Sequence, residues 1–296
     1  MIRDSAAPRP PARPVPLRCG SAVLEFGRRT FLVGIINMTP DSFAGDGLDG
    51  DAGAAEAMGQ RWKEQGADLI DVGGRSTRPG AAPVPAEEEL RRTIPAVRRL
   101  APLGLPVSVD TTSARVASAA LDAGAAMIND VTALQGDADM PGVAARAGVP
   151  VVLMDGRNRR GAPDVMTETR AYLEERLRAA ASAGIEPARI ILDPGYGFGV
   201  TLAQNMEMLR RLRELTVLGR PILIGTSRKG SIGRVLNLPV HDRMEGTAAT
   251  IVLAIANGAD LIRVHDVLVM VRVARMTDAI VRGLPSHLSA DGTSPP

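Results

Sequence analysis

Gly66-Ala67-Asp68-Leu69-Ile70-Asp71-Val72-Gly73 is the stretch on which the fold turns. Gly66 ends the helical pattern of residues 52–65, at a position where a left-handed residue costs glycine least. The run that follows is nearly continuously apolar, as in a parallel strand covered on both faces. The same turn recurs as Gly124-Ala125-Ala126 and Gly258-Ala259-Asp260, each between a helical pattern and a short apolar run.

Working outward, strands are expected over Phe31–Asn37, Asp68–Gly73, Pro106–Thr111, Ala126–Asn129, Pro150–Met154, Arg189–Asp193, Pro221–Thr226 and Asp260–Val264. Helices are expected over Ala52–Gln65, Ala86–Leu100, Ser113–Ala123, Met140–Ala147, Met166–Ala183, Leu202–Leu215, Asp242–Asn257 and Val267–Val281. Eight βα units in about 250 residues match a (β/α)8 TIM barrel. A doubly wound open sheet is the structural rival, but no Gly-x-Gly-x-x-Gly follows the first strand. The expected fold is therefore α/β, a (β/α)8 barrel. Gly20 and Gly27 flank an alternating run over Ala22–Phe26, so residues 17–30 read as an N-terminal β-hairpin capping the barrel's bottom. Residues 17–285 form a single domain. Residues 1–16, rich in Pro, Ala and Arg, and residues 286–296 are expected to be disordered tails.

The chain of 296 residues, 45% hydrophobic, can bury a core without disulfides. Its one cysteine, Cys19, excludes an intrachain disulfide or a thiolate metal cluster and suits a cytoplasmic setting. A net charge of +2 gives no reason to expect a nucleic-acid partner. No apolar run reaches the roughly 18–20 residues of a membrane span, so no membrane partner is expected. Lys63 and Lys229 are the only lysines in an arginine-rich chain, which makes Lys229, inside a motif, conspicuous.

In a barrel the active site lies where the strands end. Each expected strand ends in a polar group: Asn37, the Gly73–Gly80 loop, Asp110, Asn129-Asp130, Asp155, Asp193, Ser227-Arg228-Lys229 and Arg263-Val264-His265-Asp266. A single Asp in such a place reads as a helix cap, and Asp130 and Asp266 are read that way. A whole rim of polar groups would be costly without a polar ligand. Asp110, Asn129, Asp193 and Lys229 suit a flat heterocycle with alternating donors and acceptors. Asn37, Arg263 and His265, beside the start of the last helix, suit an anion.

Gly34–Phe43, Asp71–Gly80, Ser108–Thr111, Ile128–Val131, Asp193–Gly199, Ser227–Lys229 and Arg263–Asp266 together resemble, in order, the motifs of the dihydropteroate synthase family over roughly residues 31–282. The resemblance implies condensation of 6-hydroxymethyl-7,8-dihydropterin pyrophosphate with p-aminobenzoate to give 7,8-dihydropteroate and pyrophosphate. It implies that Asp110, Asn129, Asp193 and Lys229 bind the pterin. Asn37, Arg263 and His265 would hold the pyrophosphate, and Asn37 would also ligate Mg²⁺. Thr77, Arg78, Pro79 and Phe198 would shape the p-aminobenzoate pocket. Asp41, Arg78 and Lys229 would serve catalysis, with Thr39–Phe43 and Ser76–Pro79 as loops that close over the site. A homodimer is also implied.

The chain departs from the family pattern at Arg75, where Glu is usual, Asp155, where His is frequent, Val200, where Lys is common, and Gly230, often Ser. Two other functions use similar barrels: a methyltetrahydrofolate-dependent corrinoid methyltransferase, and a non-catalytic pterin-binding paralogue. The first has no need of Arg263, His265 and the Thr39–Phe43 loop as a pyrophosphate site. The second would not be expected to keep both loop motifs.

Overall fold

The computed structural model describes residues 14–40, 47–76, 82–285 and 288. The chain opens with a hairpin, β1 (Leu17–Cys19) paired antiparallel with β2 (Ala22–Leu24). Strands and helices then alternate: β3 (Phe31–Asn37), α1 (Ala52–Gln65), β4 (Leu69–Gly73), α2 (Ala86–Leu100), β5 (Val107–Asp110), α3 (Ala114–Asp122), β6 (Met127–Asp130), α4 (Met140–Ala147), β7 (Val151–Met154), α5 (Val165–Ser182) and β8 (Ile190–Asp193). They continue with α6 (Leu202–Arg211), β9 (Leu223–Ile224), α7 (Gly230–Leu236), α8 (Met244–Ala256), β10 (Leu261–Val264) and α9 (Val267–Val281).

The eight strands β3 to β10 lie in the order β8-β7-β6-β5-β4-β3-β10-β9, all parallel. A bridge between Leu192 and Ile222 closes the ring, with Leu192 N–H donating to the Pro221 carbonyl at 2.9 Å. The fold is a (β/α)8 barrel.

The two-residue period of the strands sorts side chains into two sets. Ile36, Ile70, Val109, Ile128, Leu153 and Leu192 belong to the large core shared with the surrounding helices. The alternate positions Val33, Leu69, Met127, Val152, Ile191 and Leu261 join Leu17, Leu24 and Phe26 in a second cluster. The hairpin therefore closes the end at which the strands begin. Two residues further along the same faces stand Asp71, Asn129, Met154, Asp193 and Arg263. One apolar layer thus seals the bottom, and the next, apart from Met154, is polar.

Differences from expectation are local. The seventh barrel strand shortens to Leu223–Ile224, because Pro221 lacks an N–H and Gly225 follows at once. The expected helix from Leu202 ends at Arg211 and tightens into a 3₁₀ segment, Leu212–Leu218. Helix α7 was not expected; its seven residues include two glycines, too short and too permissive to show a period. Asp266 does not cap α9 with its side chain; its carboxylate accepts from Arg228 Nε at 2.9 Å. Asp130 accepts from the backbone N–H of Thr132 and Leu134, capping a turn rather than a helix. The expected tails fall almost wholly outside the described residues.

Candidate active site

Pairing register brings the rim together. Asn37 pairs with Gly73, Gly73 with Asp110, and Asp110 with Asn129, so the residues on β3, β5 and β6 stand at one level. Met154 on β7 pairs with Asp193 on β8. Asn37, Asp110, Asn129, Asp193, Lys229, Arg263 and His265, which the sequence analysis singled out, all line one cavity of about 480 Å³ at the strands' C-terminal ends. That volume lies in the ordinary range for small-molecule pockets. Phe198 lines it too. Asp41, Thr77, Arg78 and Pro79 lie outside the described residues.

Asp110, Asn129 and Arg263 of the cavity wall belong to a charged cluster that includes a residue left without a role above. Asp71, only 1% exposed on β4, accepts from Asn129 Nδ2 at 3.0 Å and from Arg263 Nε at 2.6 Å on the same oxygen. Arg263 also donates to Asp110 at 3.1 Å. The second oxygens of Asp71 and Asp110 are buried without a hydrogen-bond partner among the described residues. Asp110 lines the cavity, and an orphaned acceptor there calls for a donor from a ligand. Burial raises the Asp110 pKa, opposed by Arg263 and reinforced by Asp71.

Asp193 and Lys229 form the adjoining wall. Burial pushes the Asp193 carboxyl up to about 6, against the pull of the Gly195 N–H and of Lys229. Burial likewise draws Lys229 down to about 8, with Asp193 opposing. Lys229 donates to the Tyr196 carbonyl, and its ammonium lies 4.4 Å from the centre of the Phe198 ring. The loop that places Phe198 needs glycine: Gly197 has φ +84°, and a Cβ there would meet Lys229 Cδ at 2.7 Å.

At the opposite side His265 Nδ1 lies 2.9 Å from Ser227 Oγ, which also accepts the His265 backbone N–H. His265 precedes α9, whose first-turn N–H groups add a positive dipole end. This corner can hold an anion, and the carboxylate cluster beside it can hold a hydrogen-bonding ring.

Of the departures, Arg75, Val200 and Gly230 line the cavity. Arg75 donates to Thr112 Oγ1 and stands 3.9 Å from Glu89. Asp155 is buried behind the cavity, paired with Arg157 and Arg159. Arg75 and Asp155 therefore have separate partners.

Closed barrel, polar mouth and anion corner together describe an enzyme for a polar heteroaromatic substrate carrying a charged arm. Residues 33–265 match the family model described as pterin binding enzyme. A dihydropteroate synthase of Clostridium beijerinckii is 46% identical over 268 residues, covering 90% of this chain and 100% of the relative. One of Bacillus subtilis is 43% identical, covering 88% and 92%. The solved dihydropteroate synthase of Xanthomonas albilineans in complex with 7,8-dihydropteroate matches with a TM-score of 0.82 at 42% identity, over 91% of this chain and 100% of that one. The chain belongs to the dihydropteroate synthase family of transferases.

Proposed function

We propose that this barrel condenses 6-hydroxymethyl-7,8-dihydropterin pyrophosphate with p-aminobenzoate, giving 7,8-dihydropteroate and pyrophosphate. The observation that carries the reading is that ring-binding and anion-binding groups adjoin in one cavity. Asp110, Asn129, Asp193 and Lys229 hold the pterin edge, and Asp71 and Arg263 fix the donors and acceptors around it. Asn37, Arg263 and His265 receive the pyrophosphate. Phe198, with Thr77, Arg78 and Pro79, flanks p-aminobenzoate, and Asp41 and Arg78 serve the reaction from the loops.

The carbon–oxygen bond of the CH₂–O–pyrophosphate arm breaks, and pyrophosphate leaves with the electron pair. Positive charge spreads from the methylene into the ring, where ionised Asp110 and Asp193 favour it. The neutral arylamine nitrogen then bonds to the methylene carbon and loses a proton. Burial of the site keeps water from competing for the cation.

Mg²⁺ is part of this reading. Asn37 offers a hard amide oxygen on the cavity wall. Among the described residues no group of three or more His, Cys, Asp or Glu could hold a metal ion. A single amide oxygen fits an ion bound largely by phosphate oxygens and water, as Mg²⁺ commonly is. Bound there, Mg²⁺ would neutralise charge on the departing pyrophosphate.

A homodimer is also proposed, joined through α8 and α9. Helix α8 carries one charged residue, Glu245, and is apolar almost all round, yet Val252 and Leu253 are exposed. Beside it on α9, Met276 and Ile280, 64% and 72% exposed, share one face, and Leu284 beyond the helix end is 61% exposed. We place the enzyme in the cytoplasm: its one cysteine, Cys19, is buried and requires no oxidising compartment. No described helix is long and apolar enough to cross a membrane.

The test is pyrophosphate release by the purified protein with pterin pyrophosphate, p-aminobenzoate and Mg²⁺. Release that depends on p-aminobenzoate is expected. Its absence would remove the synthase reading.

A further inference from the structure

Arg159 is 2% exposed, in the loop between β7 and α5. Its guanidinium is spread over the backbone of the loop after β8. One amino group donates to the Pro194 carbonyl at 3.0 Å and to Thr169 Oγ1 at 2.5 Å. The other donates to the carbonyls of Asp155, Gly195 and Phe198 at 2.8, 3.3 and 3.2 Å. The Arg159 backbone N–H takes the Gly199 carbonyl at 2.6 Å. Asp155, fully buried, lies 3.2 Å from the same guanidinium and also pairs with Arg157 at 2.9 Å. The Asp155 backbone N–H donates to the Asp193 carbonyl at 3.0 Å.

We propose that Arg159, held by Asp155, is a positioning residue for the ring-binding wall of the cavity, a role that rests on the pterin-site reading above. Arg159 holds the carbonyls of Pro194, Gly195, Phe198 and Gly199. The Tyr196 carbonyl turns the other way and accepts from Lys229. Asp193, at the root of this loop, accepts the Gly195 N–H on its carboxylate at 2.7 Å. The Phe198 ring, 4.4 Å from the Lys229 ammonium, is carried on the same backbone. Arg159 thus sets Asp193, Lys229 and Phe198 relative to one another while touching none of their side chains.

A stabilising role alone is a poor account of this arrangement. Burial works against the guanidinium's charge, and its Nε is buried without a hydrogen-bond partner. A buried ion pair is often no better for stability than apolar packing, and its attested value is in fixing one geometry. The loop it fixes is demanding, with φ of +72°, +84° and +57° at Gly195, Gly197 and Gly199. A Cβ on Gly195 would lie 1.9 Å from the Asp155 carbonyl oxygen, so the two segments are pressed together.

The experiment measures the affinity of Arg159→Lys, Asp155→Asn and Leu100→Ala for pterin pyrophosphate by calorimetry, without p-aminobenzoate, beside thermal unfolding of each. Leu100, buried in the core on α2, lines no part of the cavity, so Leu100→Ala controls for loss of stability alone. Arg159→Lys keeps the charge but cannot span the same carbonyls. Its affinity is expected to fall on the order of tenfold to a hundredfold, as small displacements of positioned groups do. Leu100→Ala is expected to unfold at lower temperature with affinity within about twofold. If Arg159→Lys does not fold, Asp155→Asn must show the loss. Folded Arg159 and Asp155 variants with unchanged pterin affinity would overturn the proposal, as would an equal loss in Leu100→Ala. If the unmodified protein binds pterin pyrophosphate but releases no pyrophosphate, the synthase reading fails and the positioning role can still be measured.

Discussion

Arg263 Nε donates to Asp71 Oδ2 at 2.6 Å, across 192 positions of sequence and across the intervening strand β3. The same oxygen accepts from Asn129. Asp71 thus joins the ring-binding amide to the arginine that also reaches Asp110, and the cavity is built as one electrostatic unit.

Asp71→Ala should break that unit. Removing one partner of a buried pair costs about 3–5 kcal/mol. Arg263 has a side chain 22% exposed and retains Asp110. A loss of about 2 kcal/mol is therefore expected, after allowance for screening. Urea unfolding would show it as a lower midpoint at unchanged slope. Binding of pterin pyrophosphate should weaken in the same variant. A midpoint equal to that of the unmodified protein would remove Asp71 from the cluster.

The barrel was legible because its signals are local. Apolar runs, glycine-closed helices and polar strand ends all lie within a few residues of one another, and the expected and observed ranges of β3, α1, α2, α4 and α9 coincide. Asp71 escaped because it stands inside the run Leu69–Gly73, two residues before the strand's end. A search of strand ends passes over it; only the barrel's inward face shows that it is on the mouth side. Arg159 escaped for a different reason. It sits in the polar stretch Asp155–Asp164, which reads as an ordinary loop, and the carbonyls it binds lie 35 to 39 positions away. Backbone acceptors leave no mark on residue type.

The two shifted groups of the ring-binding wall predict a bell-shaped pH dependence. Asp193 titrates at about 6 and Lys229 at about 8, so both are charged chiefly between those values. Asp110, pushed up to about 7, must be ionised too, so for the free enzyme kcat/KM toward pterin pyrophosphate should fall below about pH 7, as Asp110 and then Asp193 take up protons, and above about pH 8. Lys229→Arg should act more slowly and lose the alkaline limb; a limb that persists unchanged would assign it elsewhere. The linkage to stability has a definite sign. Lys229 is lowered from 10.5, so its contribution is full above that value and lost as pH falls through about 8. Lys229→Met should therefore raise the Tm of the ligand-free protein at pH 7 while weakening pterin binding.

Gly197→Ala tests the loop itself. At φ +84° a side chain is strained by about 1–2 kcal/mol. The new Cβ would meet Lys229 Cδ at 2.7 Å, and the flexible lysine can move aside. The expected result is a drop in Tm of a few degrees, as for about 1–2 kcal/mol in a chain of this size, with a larger proportional loss of pterin affinity. Full affinity would show that Lys229 need not stand where the loop places it.

Ile280→Glu bears on assembly. Ile280 is 72% exposed and lies one turn from Met276 on the same face of α9. In an isolated protomer a charge there should change stability by no more than about 0.5 kcal/mol. Across a two-fold interface the same substitution places a carboxylate in apolar surroundings twice over, since such an interface uses one patch on both subunits. Light scattering should report a dimer for the unmodified protein and a folded monomer for the variant. A monomer before the substitution, or a dimer that survives it, would remove α9 from the interface.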